Sequence, residues 1–103
     1  MSKRETVHAI IKDNKVVVFS QTFCCYCASA KKTLNELGVK FEVIELDERE
    51  DGEIIKDILA EVTGERMFPR VFIGGESIGG NSDLQAVHSS GQLVHKLQKA
   101  GAL

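Results

Sequence analysis

Apolar residues recur along the chain at two spacings, three-and-four and two, and the switches between them mark out a series of helices and strands. Val7, Ile10 and Ile11 share one face at helical spacing and predict a helix over residues 3–12. Lys15 to Ser20 reads as a buried strand, with Val16-Val17-Val18-Phe19 the longest uninterrupted apolar run. A second helical stripe of Cys24, Cys27, Ala30, Leu34 and Leu37 stops at Gly38, a residue suited to the left-handed position after a helix. Val39 to Leu46 alternates Val39, Phe41 and Val43 with Lys40 and Glu42, the pattern of a half-buried strand. Ile55, Ile58, Leu59 and Val62 stand at i, i+3, i+4 and i+7 and are closed by Gly64, which predicts a helix over 52–63. Pro69 opens a strand at Val71-Phe72-Ile73, and Gly74-Gly75 is a hairpin signal leading into a short strand at Glu76 to Ile78. Ser82 with Gln85 three residues on fits a capping box for a helix through about His88, and Leu93, Val94 and Leu97 carry a last helix.

The resulting order, α-β-α-β-α-β-β-α-α, combines a parallel crossover with a hairpin and predicts an α/β three-layer sandwich. A chain of 103 residues suits a single domain over 1–103, whose folding hides roughly two-thirds of the unfolded surface without metal or disulfide staples. Thirteen basic and 15 acidic residues give a net charge of -2, so a nucleic-acid partner is not expected. The apolar runs fall far short of the roughly 20 residues that span a bilayer, so no membrane partner is expected either. Lys3 and Arg4 precede no apolar segment of the secretory kind. The expected location is cytoplasmic, or an organelle reached by a presequence outside this sequence. Glu45 to Glu53 holds six acidic residues and reads as a solvated loop and helix start, with Asp51 as its cap.

Three cysteines at 24, 25 and 27 cannot form the dispersed, even-numbered framework of a small secreted protein. Residues three apart at a helix start have Cβ atoms roughly 5 to 6 Å apart, so Cys24 and Cys27 are the pair that a modest adjustment brings into disulfide range. Cys24 and Cys25, with Cα atoms about 3.8 Å apart, would make a strained bridge. Zinc wants about four ligands, and His8, His88 and His95 lack a paired spacing, so no metal is expected. Three buried structural thiols are the plainer alternative, weakened by polar Gln21 and Thr22 and by the unpaired donors of a first helical turn. Cys24, at the positive end of the helix, is the candidate nucleophile; the dipole favours a thiolate there by roughly 1 to 2 kcal/mol. The N–H groups of Tyr26 and Cys27 and the Cys27 thiol are expected to donate to it, with Cys27 the slower, higher-pKa partner. A second candidate region is Gly79-Gly80, where a backbone can be approached closely. The N–H groups of Ser82 and Asp83 open a helix there, an anion site if the glycines are not an ordinary turn.

The run Ser20-Gln21-Thr22-Phe23-Cys24-Cys25-Tyr26-Cys27 resembles the active site of the dithiol glutaredoxins, usually Cys-Pro-Tyr-Cys, on a thioredoxin-like fold with a four-stranded mixed sheet and about five helices. Thr63 to Ile73 is similar to that family's Thr-Gly-x-Arg-Thr-Val-Pro segment, Ile78 to Leu84 to its glycine pair and following helix, and Ser90 to Leu93 to its last helix start. The resemblance implies a glutathione-dependent thiol–disulfide oxidoreductase, with Cys24 as nucleophile, Cys27 resolving, and glutathionylated or disulfide-bonded proteins as partners. It implies glutathione as co-substrate, held by Gln21, Tyr26, Arg66, Met67, Phe68, Pro69, Gly80, Ser82 and Asp83. The glutathione cysteine would pair with the main chain at Phe68 before a cis Pro69, and the γ-glutamyl carboxylate would sit at Ser82 and Asp83.

Four positions depart from the family pattern. Gln21 stands where lysine is common, which shifts anion binding toward Arg66. Met67 and Phe68 replace Thr-Val and would narrow the groove. Cys25 replaces proline, adding an accessory thiol and giving an alternative: a [2Fe-2S] carrier or sensor built on Cys24 and glutathione from two subunits. A monomer is expected, dimeric only with a cluster bound. A groove that binds without turning over is the third reading.

Overall fold

The structure is a computed structural model and describes residues 2–103. Its elements follow the predicted order: α1 (Lys3–Asp13), β1 (Val16–Ser20), α2 (Cys25–Glu36), β2 (Glu42–Glu45), a 3₁₀ turn (Leu46–Glu48), α3 (Gly52–Thr63), β3 (Arg70–Ile73), β4 (Glu76–Gly79), α4 (Asn81–Ser89) and α5 (Gln92–Lys99). The strands lie in the order β2-β1-β3-β4, with β1 parallel to β2 and antiparallel to β3, and β3 antiparallel to β4. This is the thioredoxin-like mixed sheet with five helices.

The period-two alternation of β1 explains the layering. Val17 and Phe19 point to a core shared with Val7 and Ile11 of α1 and Ile55, Ile58 and Leu59 of α3. Val16 and Val18 point to the opposite core, with Ala30 and Leu34 of α2, Leu84 of α4, and Leu93 and Leu97 of α5. Phe19 and Phe72 meet edge-to-face across neighbouring strands at 5.8 Å, a favoured aromatic geometry. No helix among the described residues is long and apolar enough to cross a membrane.

Four local readings change. β2 is shorter than predicted, Glu42–Glu45, and half-buried as its alternation implies: Ile44 enters one core and Glu42 is exposed, while Leu46 just after the strand joins the same core and Val39 and Phe41 ahead of it pack on the other. Val62 and Val94 are exposed, because each lies at the edge of its helix's apolar arc. Asp51 stands at the N-cap of α3 without capping it; its carboxylate is taken by Arg49 at 2.8 Å and Lys3 at 3.2 Å. The Ser82–Gln85 box does not form, since α4 starts two residues earlier than that box requires and places Ser82 inside its first turn. Gly80 is the N-cap, and the Asp83 carboxylate accepts its N–H at 3.0 Å.

Candidate active site

After β1 the chain turns through Gln21, Thr22 and Phe23, and Cys24 becomes the N-cap of α2. An N-cap side chain faces the unpaired N–H groups of the first turn. The Cys24 Sγ accepts from the Cys27 N–H at 3.4 Å, one of the two backbone donors expected. It also lies 3.7 Å from the Phe68 carbonyl, to which its thiol donates. The Phe68–Pro69 peptide is cis, so Cys24 sits between the start of α2 and the bend that leads into β3.

The other two thiols have different surroundings. Cys25 is exposed and Cys27 fully buried. Burial pushes the Cys27 thiol up to about 11, and its hydrogen bond with Cys24 adds to the rise; the Gln21 backbone and Ser20 side chain oppose it. Among the described residues no group of three or more His, Cys, Asp or Glu side chains is arranged to hold a metal ion.

One contributor to this loop is invisible in the linear sequence. Asp47, in the 3₁₀ turn after β2, accepts the Thr22 N–H at 3.0 Å and also the Thr22 hydroxyl. The hydroxyl and then the N–H hold its carboxyl below the usual aspartate range. The acidic stretch that reads as solvent-facing thus supplies an anchor for the segment carrying Cys24, brought there by the parallel pairing of β1 with β2.

Beside Cys24 opens a hollow of about 300 Å³ lined by Tyr26, Met67, Phe68, Arg70, Gly80, Asn81, Ser82 and Asp83. Most of the expected set converges here: Tyr26, Met67, Phe68, Gly80, Ser82 and Asp83. Gln21 and Arg66 do not line it; Arg66 turns outward to pair with Asp57 at 3.0 Å. Pro69 does not line it either, though its carbonyl accepts the Arg70 Nε–H at 3.1 Å. Met67 and Tyr26 form exposed walls. The Phe68 ring packs against the α1–α3 core, with the Lys56 ammonium 5.8 Å from its centroid, so its bulk goes inward.

Both glycines of the pair are explained by what surrounds them. Gly79 has φ +110°, and a Cβ there would run into the Asp83 carboxylate; a Cβ on Gly80 would lie 2.8 Å from the Arg70 Nη2. Arg70 and Asn81 are the lining residues that sequence reasoning missed. Arg70 is an ordinary strand position by pattern, and the close packing of its guanidinium on Gly80 exists only once β3 and the start of α4 meet.

The glutaredoxin family model matches residues 16–78. Among curated relatives, a glutaredoxin of Ricinus communis is 53% identical over 94 residues, covering 91% of this chain and 92% of that one. Glutaredoxin-C2 of Arabidopsis thaliana is 48% identical over 94 residues, covering 91% and 85%. The crystal structure of a buckwheat glutaredoxin–glutathione complex superposes with a TM-score of 0.95 at 40% identity, covering 97% of this chain and 91% of that one.

Proposed function

The chain belongs to the glutaredoxin family, and from that premise we propose that it is a glutathione-dependent oxidoreductase that reduces protein–glutathione mixed disulfides and, more slowly, protein disulfides. The observation that carries this reading is the placement of Cys24. Its sulfur sits at the positive end of α2, within reach of the Cys27 N–H, beside a hollow of the right chemistry for a small zwitterionic thiol. Glutathione, the ligand of the similar buckwheat structure, fits that description. Its cysteine would lie along the Phe68 main chain and its γ-glutamyl carboxylate at the first turn of α4, with Tyr26 and Met67 as walls.

In the first step the Cys24 thiolate attacks the glutathione sulfur of the mixed disulfide. A Cys24–glutathione disulfide forms as the protein–sulfur bond breaks, and the released protein thiolate takes up a proton. A second glutathione thiolate then attacks the bound glutathione sulfur, yielding glutathione disulfide and regenerating Cys24. For a protein disulfide, the Cys24 thiolate attacks one sulfur, the substrate S–S bond breaks and one substrate thiolate leaves. Cys27 then attacks the Cys24 sulfur, releasing the second substrate thiol and closing a Cys24–Cys27 disulfide that two glutathiones reduce, leaving as glutathione disulfide. Cys27 must lose its proton to attack, and a buried thiol pushed up to about 11 makes that route the slower one.

The test is turnover of a glutathionylated peptide. Cys24→Ser is expected to abolish it, and Cys27→Ser to keep the rate within a few-fold of wild type; equal loss in both variants would overturn the monothiol route. The chain is proposed to act as a single-domain monomer in a reducing compartment. The cluster-bearing alternative rests on Cys25, whose thiol is exposed beside the nucleophile. Colour and a dimer after anaerobic reconstitution with iron, sulfide and glutathione would favour it, and a colourless monomer would exclude it.

A further inference from the structure

The chain has four arginines, and three are ion-paired: Arg4 with Glu61, Arg49 with Asp51, and Arg66 with Asp57. Arg70 is the most deeply buried of them, at 4% exposure, and no carboxylate among the described residues pairs with it. Its one protein hydrogen bond runs from Nε to the Pro69 carbonyl at 3.1 Å. None of its polar atoms is both buried and unpartnered, so the Nη groups that no protein atom holds face the solvent of the neighbouring hollow and are open to a ligand.

The surroundings of Arg70 point to what balances it. Among the described residues it is the single cation lining the hollow beside Cys24, since Gln21 is neutral and Arg66 is turned away to Asp57. Its Nη2 lies against Gly80, the residue that caps α4, so the guanidinium and the positive end of that nine-residue helix meet at the same place. The Asp83 carboxylate is engaged with the Gly80 N–H and is not within ion-pair distance of Arg70. At Gly80 the hollow therefore holds a cation with no carboxylate paired to it, beside a helix start.

We propose that Arg70 is a ligand-binding residue that pairs with the carboxylate of a γ-glutamyl thiol, and that it makes this groove select γ-glutamyl thiols over thiols lacking that carboxylate. The proposal rests on the glutathione reading above and assigns the selectivity to a cation absent from the expected site set. A guanidinium is suited to the task because its planar fork can offer two parallel N–H donors to one carboxylate.

The test measures binding of three unreactive probes, S-methylglutathione, S-methyl-γ-glutamylcysteine and S-methylcysteinylglycine, to wild type, Arg70→Gln and Arg70→Lys by NMR shift titration. Arg70→Gln is expected to weaken the two γ-glutamyl probes about tenfold to a hundredfold, the size of a lost charge-assisted hydrogen bond, and to leave cysteinylglycine within about twofold. Arg70→Lys is expected to recover part of the loss. In turnover, Arg70→Gln should raise the KM for the glutathionylated peptide with kcat within about twofold. Equal weakening of all three probes, or unchanged preference, would overturn the assignment. If Arg70→Gln does not fold, Arg70→Lys decides: partial loss confined to the γ-glutamyl probes supports the proposal, and unchanged preference defeats it. Should wild type bind none of the probes, the glutathione reading itself fails; should it prefer γ-glutamyl probes while the variants keep that preference, only the role of Arg70 falls.

Discussion

Three cysteines within one helical turn meet three environments, and the differences are set by where each Cβ points. Cys24 caps the helix and faces its N–H groups, Cys25 faces solvent, and Cys27 turns beneath into the fold. The consequence is kinetic, because the thiolate is the reactive form and Cys27 is held as a thiol to about pH 11. A brief iodoacetamide pulse at neutral pH, followed by peptide mass spectrometry, should label Cys24 well before Cys27. Label on Cys27 should rise only well above pH 9; early label there would reverse the assignment of nucleophile and resolving thiol. Asp47 belongs to the same scale: one carboxylate ties down the Thr22 backbone and hydroxyl two residues before the nucleophile.

Among the elements, the join between the 3₁₀ turn and α3 leaves no room for a side chain. Gly52 opens α3 against the main chain of Leu46, and a Cβ at that position would collide with the Leu46 carbonyl. The collision involves backbone, so no side chain can swing aside to relieve it. Gly52→Ala is therefore expected to cost ~1–3 kcal/mol, and ~4–8 °C in Tm for each kcal/mol, although alanine is the better helix former. Thermal unfolding measures this; an unchanged or raised Tm would show that the turn shifts freely. The same join carries Asp47 toward the active-site loop, so loosening it should also slow Cys24 alkylation.

For the whole molecule, the shifted groups set the pH range of stability. The hydrogen bonds from Arg49 and Lys3 hold Asp51 well below the usual carboxylate range, and those from Thr22 lower Asp47. The unfolded chain then binds more protons than the folded one as pH falls below about 4, so stability is lost on the acid side. Cys27 works in the other direction: raised from 9.0 to about 11 in the fold, it stays protonated while the unfolded thiol ionises, and stability falls as pH rises through that interval. Urea midpoints measured from pH 2 to 11 should show a plateau between these two losses. Removing the alkaline loss by Cys27→Ser, with the acid loss kept, would assign it; an alkaline loss that persists in that variant would place it elsewhere.

Periodicity alone carried the order of elements, the bounds of α3 and the Gly74-Gly75 hairpin, because apolar spacing and turn residues are local properties of the chain. The Cys24–Cys27 pair was legible for the same reason: three residues at a helix start fix their own geometry. The outward turn of Arg66, the anchoring of Thr22 by Asp47 and the seating of Arg70 on Gly80 were not legible. Each depends on partners far apart in the chain, whose contact is set by strand register and helix packing. A residue's spacing shows which face it occupies, but only the assembled sheet decides which charge stands opposite it, and in this groove that choice left Arg70 as the cation.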